Sequence, residues 1–112
     1  MILSITKLLA EEEHWTQRAF ARTKTGRVIG PYTKGAACWC LEGAVYHVTK
    51  DEASAASFIA LRGAVTELFP ERGVPSDGIG ISIAAFNDHP DTTHADVLRV
   101  LARAQELEQA RS

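Results

Sequence analysis

Apolar residues recur at helical spacing in four stretches of this chain, and a more alternating stretch separates the first two. Leu8, Leu9, Glu12 and Trp15 keep helical register with Ile5, which predicts a helix over about Ser4–Trp15 capped by Ser4. Its three glutamates (Glu11–Glu13) fall near a helix C-terminus, where the dipole disfavours them. Either the helix continues to Arg18 or these acids meet a basic partner. The next stretch is rich in Thr, Phe, Val, Ile and Tyr around the turn signal Thr23-Lys24-Thr25-Gly26. It predicts a β-hairpin with strands near Gln17–Arg22 and Arg27–Tyr32, the second ended by Gly30-Pro31.

A second helix is predicted over about Gly35–Val48. Ala37, Cys40, Leu41, Ala44 and Val48 form one face, and Trp39, Gly43 and Tyr46 another. With only Glu42 and His47 clearly polar inside it, the helix belongs at the centre of the domain. Gly43 weakens a helix by up to about 1 kcal/mol relative to alanine, so it implies close approach by a neighbouring backbone. Thr49-Lys50-Asp51-Glu52 has capping-box form and opens a third helix running to about Phe69. Its inward stripe is Phe58, Leu61, Val65 and Leu68, and Pro70 stops it. Residues 71–80 read as loop. Ile79, Ile81 and Ile83 alternate like a strand, yet Ile83–Phe86 fits a helical turn equally well. Thr93-His94-Ala95-Asp96 is a second capping box, followed by a Val97, Val100, Leu101, Ala104 and Leu107 stripe to about Ala110. The expected fold is mainly α: a compact single domain over residues 1–112, with about four helices around a central buried helix and a small β-hairpin.

Composition narrows the class. The chain has 112 residues, with 46% hydrophobic and 23% charged, which excludes disordered and collagen-like chains. No apolar run approaches the ~20 residues of a membrane span. The N-terminus lacks a basic start, a long apolar stretch and a small-residue cleavage site, so a cytoplasmic protein with reduced thiols is expected. The formal net charge is −2, unevenly spread: residues 1–50 hold seven Lys/Arg against four Asp/Glu, and the remainder five against ten. Such polarity can steer a partner or a second copy.

Three constellations could carry chemistry. Cys40, on the apolar face, is a possible nucleophile, with His94 as base and Asn87 or Asp88 as orienter. The competing reading is that the thiol is core filling, since free cysteine is among the most buried residue types. Two residues apart on a helix, Cys38 and Cys40 would diverge by about 200° and could not share a metal. The stretch Asn87–Asp96 concentrates titratable groups, but His89 and His94 are poorly spaced for one ion, and Asx turns and caps require these same residue types. No metal or cofactor is therefore expected. Finally, Arg18, Arg22, Lys24, Arg27 and Lys34 form a basic stretch flanked by Trp15, Phe20 and Tyr32, a pattern used for single-stranded nucleic acid and shared by solvated hairpins. The negative net charge weakens that reading. Phosphate-binding loops, dinucleotide fingerprints, nucleophile elbows and zinc-protease motifs are absent.

Four short motifs occur in order: Trp15-Thr16-Gln17, Trp39-Cys40-Leu41-Glu42-Gly43-Ala44, Phe86-Asn87-Asp88, and Thr93 with Asp96-Val97-Leu98, followed by Ala104. The set resembles a family of short bacterial and phage proteins, a domain of unknown function patterned W-x-Q, W-C-x-x-G-A, [WF]-N-D and T-x-x-[ED]-V. The resemblance spans roughly residues 8–110. It implies a single compact domain and brings no established activity, substrate or cofactor with it. It also suggests that the Cys40 helix meets the Asn87-Asp88 turn, whose side chains would satisfy helix-end amides. The leading expectation is a small non-catalytic protein acting through protein contacts, with a homo-oligomer possible. A thiol hydrolase or transferase and a nucleic-acid binder are the alternatives.

Overall fold

The C-terminal helix shows how local chemistry sets its limits. Thr93 Oγ1 accepts from the Asp96 N–H (3.2 Å) and the Asp96 carboxylate accepts from the Thr93 N–H (3.2 Å), so the expected capping box forms. The helix it opens, His94–Ala110, buries Val97, Val100, Leu101 and Ala104. It packs along the helix Ser54–Leu68 and the N-terminal helix Ile2–Leu8.

The structure, a computed structural model, describes residues 1–50, 54–75, 78 and 80–110. In chain order it contains α1 (Ile2–Leu8), a 3₁₀ turn (Glu12–His14), β1 (Ala21–Arg22), β2 (Val28–Ile29), β3 (Cys38–Trp39), α2 (Leu41–Thr49), α3 (Ser54–Leu68), a 3₁₀ turn (Pro70–Arg72), α4 (Ile83–Asp88) and α5 (His94–Ala110). The fold is mainly α with a small antiparallel sheet of order β2-β1-β3. One continuous core joins α1 to α5 and the inner face of the sheet.

Several boundaries differ from the sequence pattern, each for a physical reason. Helix α1 starts at Ile2, not Ser4, because the Met1 ammonium and the Ile2 N–H both donate to the Glu108 carboxylate of α5 (3.3 and 3.1 Å). It stops at Leu8, before the glutamates that its dipole would oppose. The predicted helix Gly35–Val48 forms only in its second part. Residues Cys38–Trp39 pair instead with β1, in register Ala21↔Trp39 and Arg22↔Cys38. The Ala37 N–H reaches the Arg22 carbonyl (2.8 Å) and the Cys40 N–H reaches that of Phe20 (3.2 Å). The hairpin thereby becomes three strands with β1 in the middle, and its two predicted strands are both shorter than expected. Helix α2 then begins at Leu41 and contacts α1, α3, α4 and β3, a central position as expected.

Thr49 ends α2 rather than capping α3, its hydroxyl donating to the Val45 carbonyl (2.8 Å). The rest of that predicted capping box, Asp51 and Glu52, lies outside the described residues. Helix α3 buries Ser57, Ala60, Leu61, Ala64 and Val65, while Phe58 and Leu68 of the predicted stripe are half-buried. It ends before Pro70, as expected. The ambiguous Ile83–Phe86 segment is helical: Ser82 Oγ accepts from the Ala85 N–H (3.1 Å) and starts α4. Ile79 lies outside the described residues. Among the described residues no helix is long and apolar enough to cross a membrane.

Candidate functional site

The motif residues converge on Asn87. This side chain is fully buried near the end of α4, and both of its polar atoms are used twice. Its Oδ1 accepts from the Trp15 indole N–H (2.7 Å) and from the Leu41 backbone N–H (3.1 Å). Its Nδ2 donates to the Thr16 carbonyl (3.1 Å) and to Asp88 Oδ1 (3.0 Å). Gln17 adds a clamp, its Nε2 donating to the carbonyls of Asn87 (2.9 Å) and His89 (3.1 Å). One amide thus joins the post-α1 segment, the first turn of α2 and the end of α4. Leu41 is the first residue of α2, and its N–H has no intrahelical partner. The turn side chain therefore satisfies a helix-end amide, as the motif resemblance implied.

Cys40 caps the same helix, its Sγ accepting from the Gly43 N–H (3.2 Å). Gly43 must remain without a side chain: a Cβ there would overlap the Phe20 carbonyl group. That carbonyl is the one accepting from the Cys40 N–H, so α2 and the strand region are locked at close range. Burial pushes the Cys40 thiol up to about 11; the Gly43 N–H pulls it back, and the charges of Glu42 and Asp88 raise it further. The thiol is therefore protonated at neutral pH, the opposite of an activated nucleophile. His94 is engaged elsewhere. Its Nε2–H donates to the Leu9 carbonyl (2.7 Å), and its ring packs against Trp15 at a centroid distance of 6.2 Å. The fold brings Cys40, Asn87 and Asp88 into one neighbourhood and ties His94 to α1 through Leu9.

Beside this neighbourhood lies a cleft of about 370 Å³, lined by Arg18, Phe20, Val28, Cys40, Glu42, Ala84 and Asp88 among others. Asp88 Oδ1 accepts from the Arg18 N–H (2.8 Å), which holds Arg18 in the left-handed region at φ 65°. Glu42 is half-buried on the first turn of α2 and makes no hydrogen bond or ion pair among the described residues. Burial, then the charge on Asp88, pushes its carboxyl above its ordinary range. The sequence marks Glu42 only as a polar break in an apolar helix. The sequence carries no further signal for it, because the helix start at Leu41 and the approach of Asp88 are set by the fold.

The cations of the basic stretch have different surroundings. The Arg22 guanidinium is bound internally to Thr16 Oγ1 (3.1 Å) and the carbonyls of Gly26 (3.0 Å) and Gln17 (3.3 Å). Arg18 lines the cleft just described, whereas Lys24 lines a second, larger one of about 870 Å³ together with Lys7, His14, Cys38 and Trp39. Arg27 and Lys34 are exposed. Cys38 and Cys40 are both free thiols. Cys38 leans on the Arg22 carbonyl at 3.8 Å. Among the described residues, no three His, Cys, Asp or Glu side chains gather to hold a metal ion.

A mainly α domain stapled at one buried asparagine is the class that fold and site define. The chain belongs to a family of unknown function, DUF6197, whose sequence profile matches residues 2–107. No curated protein and no solved structure matches it.

Proposed function

We propose that this domain is non-catalytic and acts by binding another protein, or a second copy of itself, through the apolar rim of the Arg18–Asp88 cleft. The carrying observation is that Phe20 and Val28, both on that rim, remain 47% and 59% exposed on a rigidly braced backbone. From Phe20 the apolar surface continues through edge-to-face contacts to Tyr46 (centroids 5.8 Å) and on to Phe58 (5.6 Å), next to exposed Ile59. Contiguous apolar surface of this kind marks contact sites, whereas single exposed residues do not.

The geometry favours this reading over a thiol hydrolase or transferase built from Cys40, His94 and Asn87 or Asp88. Those side chains already have structural partners, and the Cys40 thiol is held protonated. It also favours it over nucleic-acid binding, because Arg22 is engaged internally and Arg18 and Lys24 serve separate clefts. A reducing compartment, the cytoplasm, suits two free thiols.

The test compares wild type with a Phe20→Ser/Val28→Ser variant by sedimentation equilibrium at rising concentration and by quantitative affinity capture. The reading expects a folded variant that loses self-association, or loses specific proteins that the wild type retains. A monomeric wild type at high concentration removes self-association, and identical capture profiles remove the partner as well.

A further inference from the structure

Within the protein-contact reading, on which this inference rests, we propose that the cleft between α2, α4 and the strand region receives a single lysine or arginine side chain of a partner polypeptide. Three observations meet there. First, the cleft holds two carboxylates with unused acceptor capacity. Glu42 has no partner among the described residues, and Asp88 uses only Oδ1, for the Arg18 and Asn87 N–H groups. Second, among the described residues only one cation borders the cleft, Arg18, and its guanidinium makes no ion pair with any of them. Two carboxylates against one cation leave one negative charge uncompensated, which a monocation would neutralise. Third, the walls are apolar, formed by Phe20, Val28 and Ala84. Lysine and arginine bury their methylene stems against such walls while placing the charge at the end.

Half-burying a carboxylate beside a like charge without a hydrogen bond is unfavourable for folding alone. Such a local conflict is expected where a ligand supplies the missing partner. Two protein carboxylates are too few for a calcium site, which takes six to eight oxygens. The occupant is a polypeptide side chain rather than a free amine because the exposed apolar rim extends beyond the cleft, where only a larger partner would cover it.

The experiment titrates the ¹⁵N-labelled full chain with acetyl-Leu-Arg-Leu-amide and with its citrulline counterpart, which has the same shape and no charge. The expected result is saturable shifts at millimolar peptide in the amides of Phe20, Glu42 and Ala84. The citrulline peptide and the Glu42→Gln variant each weaken binding by about two- to fivefold, the scale of one partly screened charge pair. A spectrum of Glu42→Gln that superposes on wild type outside the cleft confirms that it is folded. No saturable shift, equal affinity for the citrulline peptide, or an unchanged affinity in folded Glu42→Gln overturns the proposal. So does free n-butylguanidine binding as tightly as the peptide, or a self-association that Glu42→Gln leaves intact. Citrulline-peptide binding that still depends on Phe20 sinks the cation site alone and leaves the protein-contact reading standing.

Discussion

Replacing Asn87 with alanine removes the four hydrogen bonds that hold three segments together, and its effect can be worked out group by group. The fully buried Leu41 N–H loses its acceptor, the half-buried Trp15 indole N–H loses a 2.7 Å bond, and the Thr16 carbonyl loses a donor. A buried group left without a partner costs about 1–3 kcal/mol, and partial access of water to Trp15 and Thr16 puts those two near the lower end. The sum is about 3–5 kcal/mol, a large part of the ~5–15 kcal/mol that stabilises a typical domain. Urea denaturation followed by tryptophan fluorescence and circular dichroism reads this as a lower midpoint at unchanged slope. Asn87→Asp supplies an internal control. It keeps an acceptor for Trp15 and Leu41 but places a carboxylate beside Asp88 Oδ1, so it is destabilised at neutral pH. Protonation restores a donor, so its gap from wild type narrows as pH falls through the carboxyl range. A loss below about 1 kcal/mol for Asn87→Ala would refute the reasoning, because no buried donor would then have been orphaned. Identical pH profiles for the Ala and Asp variants would refute the assigned hydrogen-bond roles.

Gly43→Ala forces α2 away from the Phe20 carbonyl and destabilises by about 3 kcal/mol or more, since the obstructing atoms are backbone; thermal unfolding that matches wild type contradicts the close approach. Glu42 has a raised carboxyl pKa, so its ionisation works against folding: the associated stability is present at low pH and lost as pH rises through the folded value. Glu42→Gln is therefore more stable than wild type near pH 7 and equal to it near pH 3, and a constant difference across pH refutes this. For Asp96, burial works against the charge. The Thr93 N–H, the Arg72 guanidinium at 2.8 Å and the Thr93 hydroxyl outweigh it and hold the carboxyl below its ordinary range. Its contribution is present above the unfolded carboxyl pKa and disappears as pH falls through the lower folded value. Asp96→Asn should lose about 0.5–1 kcal/mol at pH 7, and nothing once Asp96 itself is protonated; a loss that persists in acid argues against the charged cap.

Those elements whose causes are local were legible in the chain. Thr93 and Asp96 announce the start of α5, Pro70 announces the end of α3, and the apolar stripes place both helices against the core. What escaped has distant causes. Helix α1 begins at Ile2 because Glu108 arrives from 106 residues away. Cys38 and Trp39 are strand rather than helix because β1 offers backbone partners, and a short apolar run has the same pattern in either state. The need for Gly43 was readable as close backbone approach, although its partner, the Phe20 carbonyl, was not. The order of the motifs was visible, yet their meeting at Asn87, 72 residues from Trp15 and 46 from Leu41, emerges only from the fold. Glu42 passed as an ordinary polar position, because no spacing rule reveals that Asp88 lies close enough to perturb it.

The Cys40 sulfur caps a helix in this fold, where a reactive site would need it free to perform chemistry. Site-resolved alkylation of the folded protein with iodoacetamide at neutral pH, read by mass spectrometry, tests this directly. The structure predicts that half-exposed Cys38 is labelled first and that Cys40 stays unmodified until urea unfolds the chain. Rapid labelling of Cys40 in the native state, ahead of Cys38, would contradict it and restore the reactive thiol.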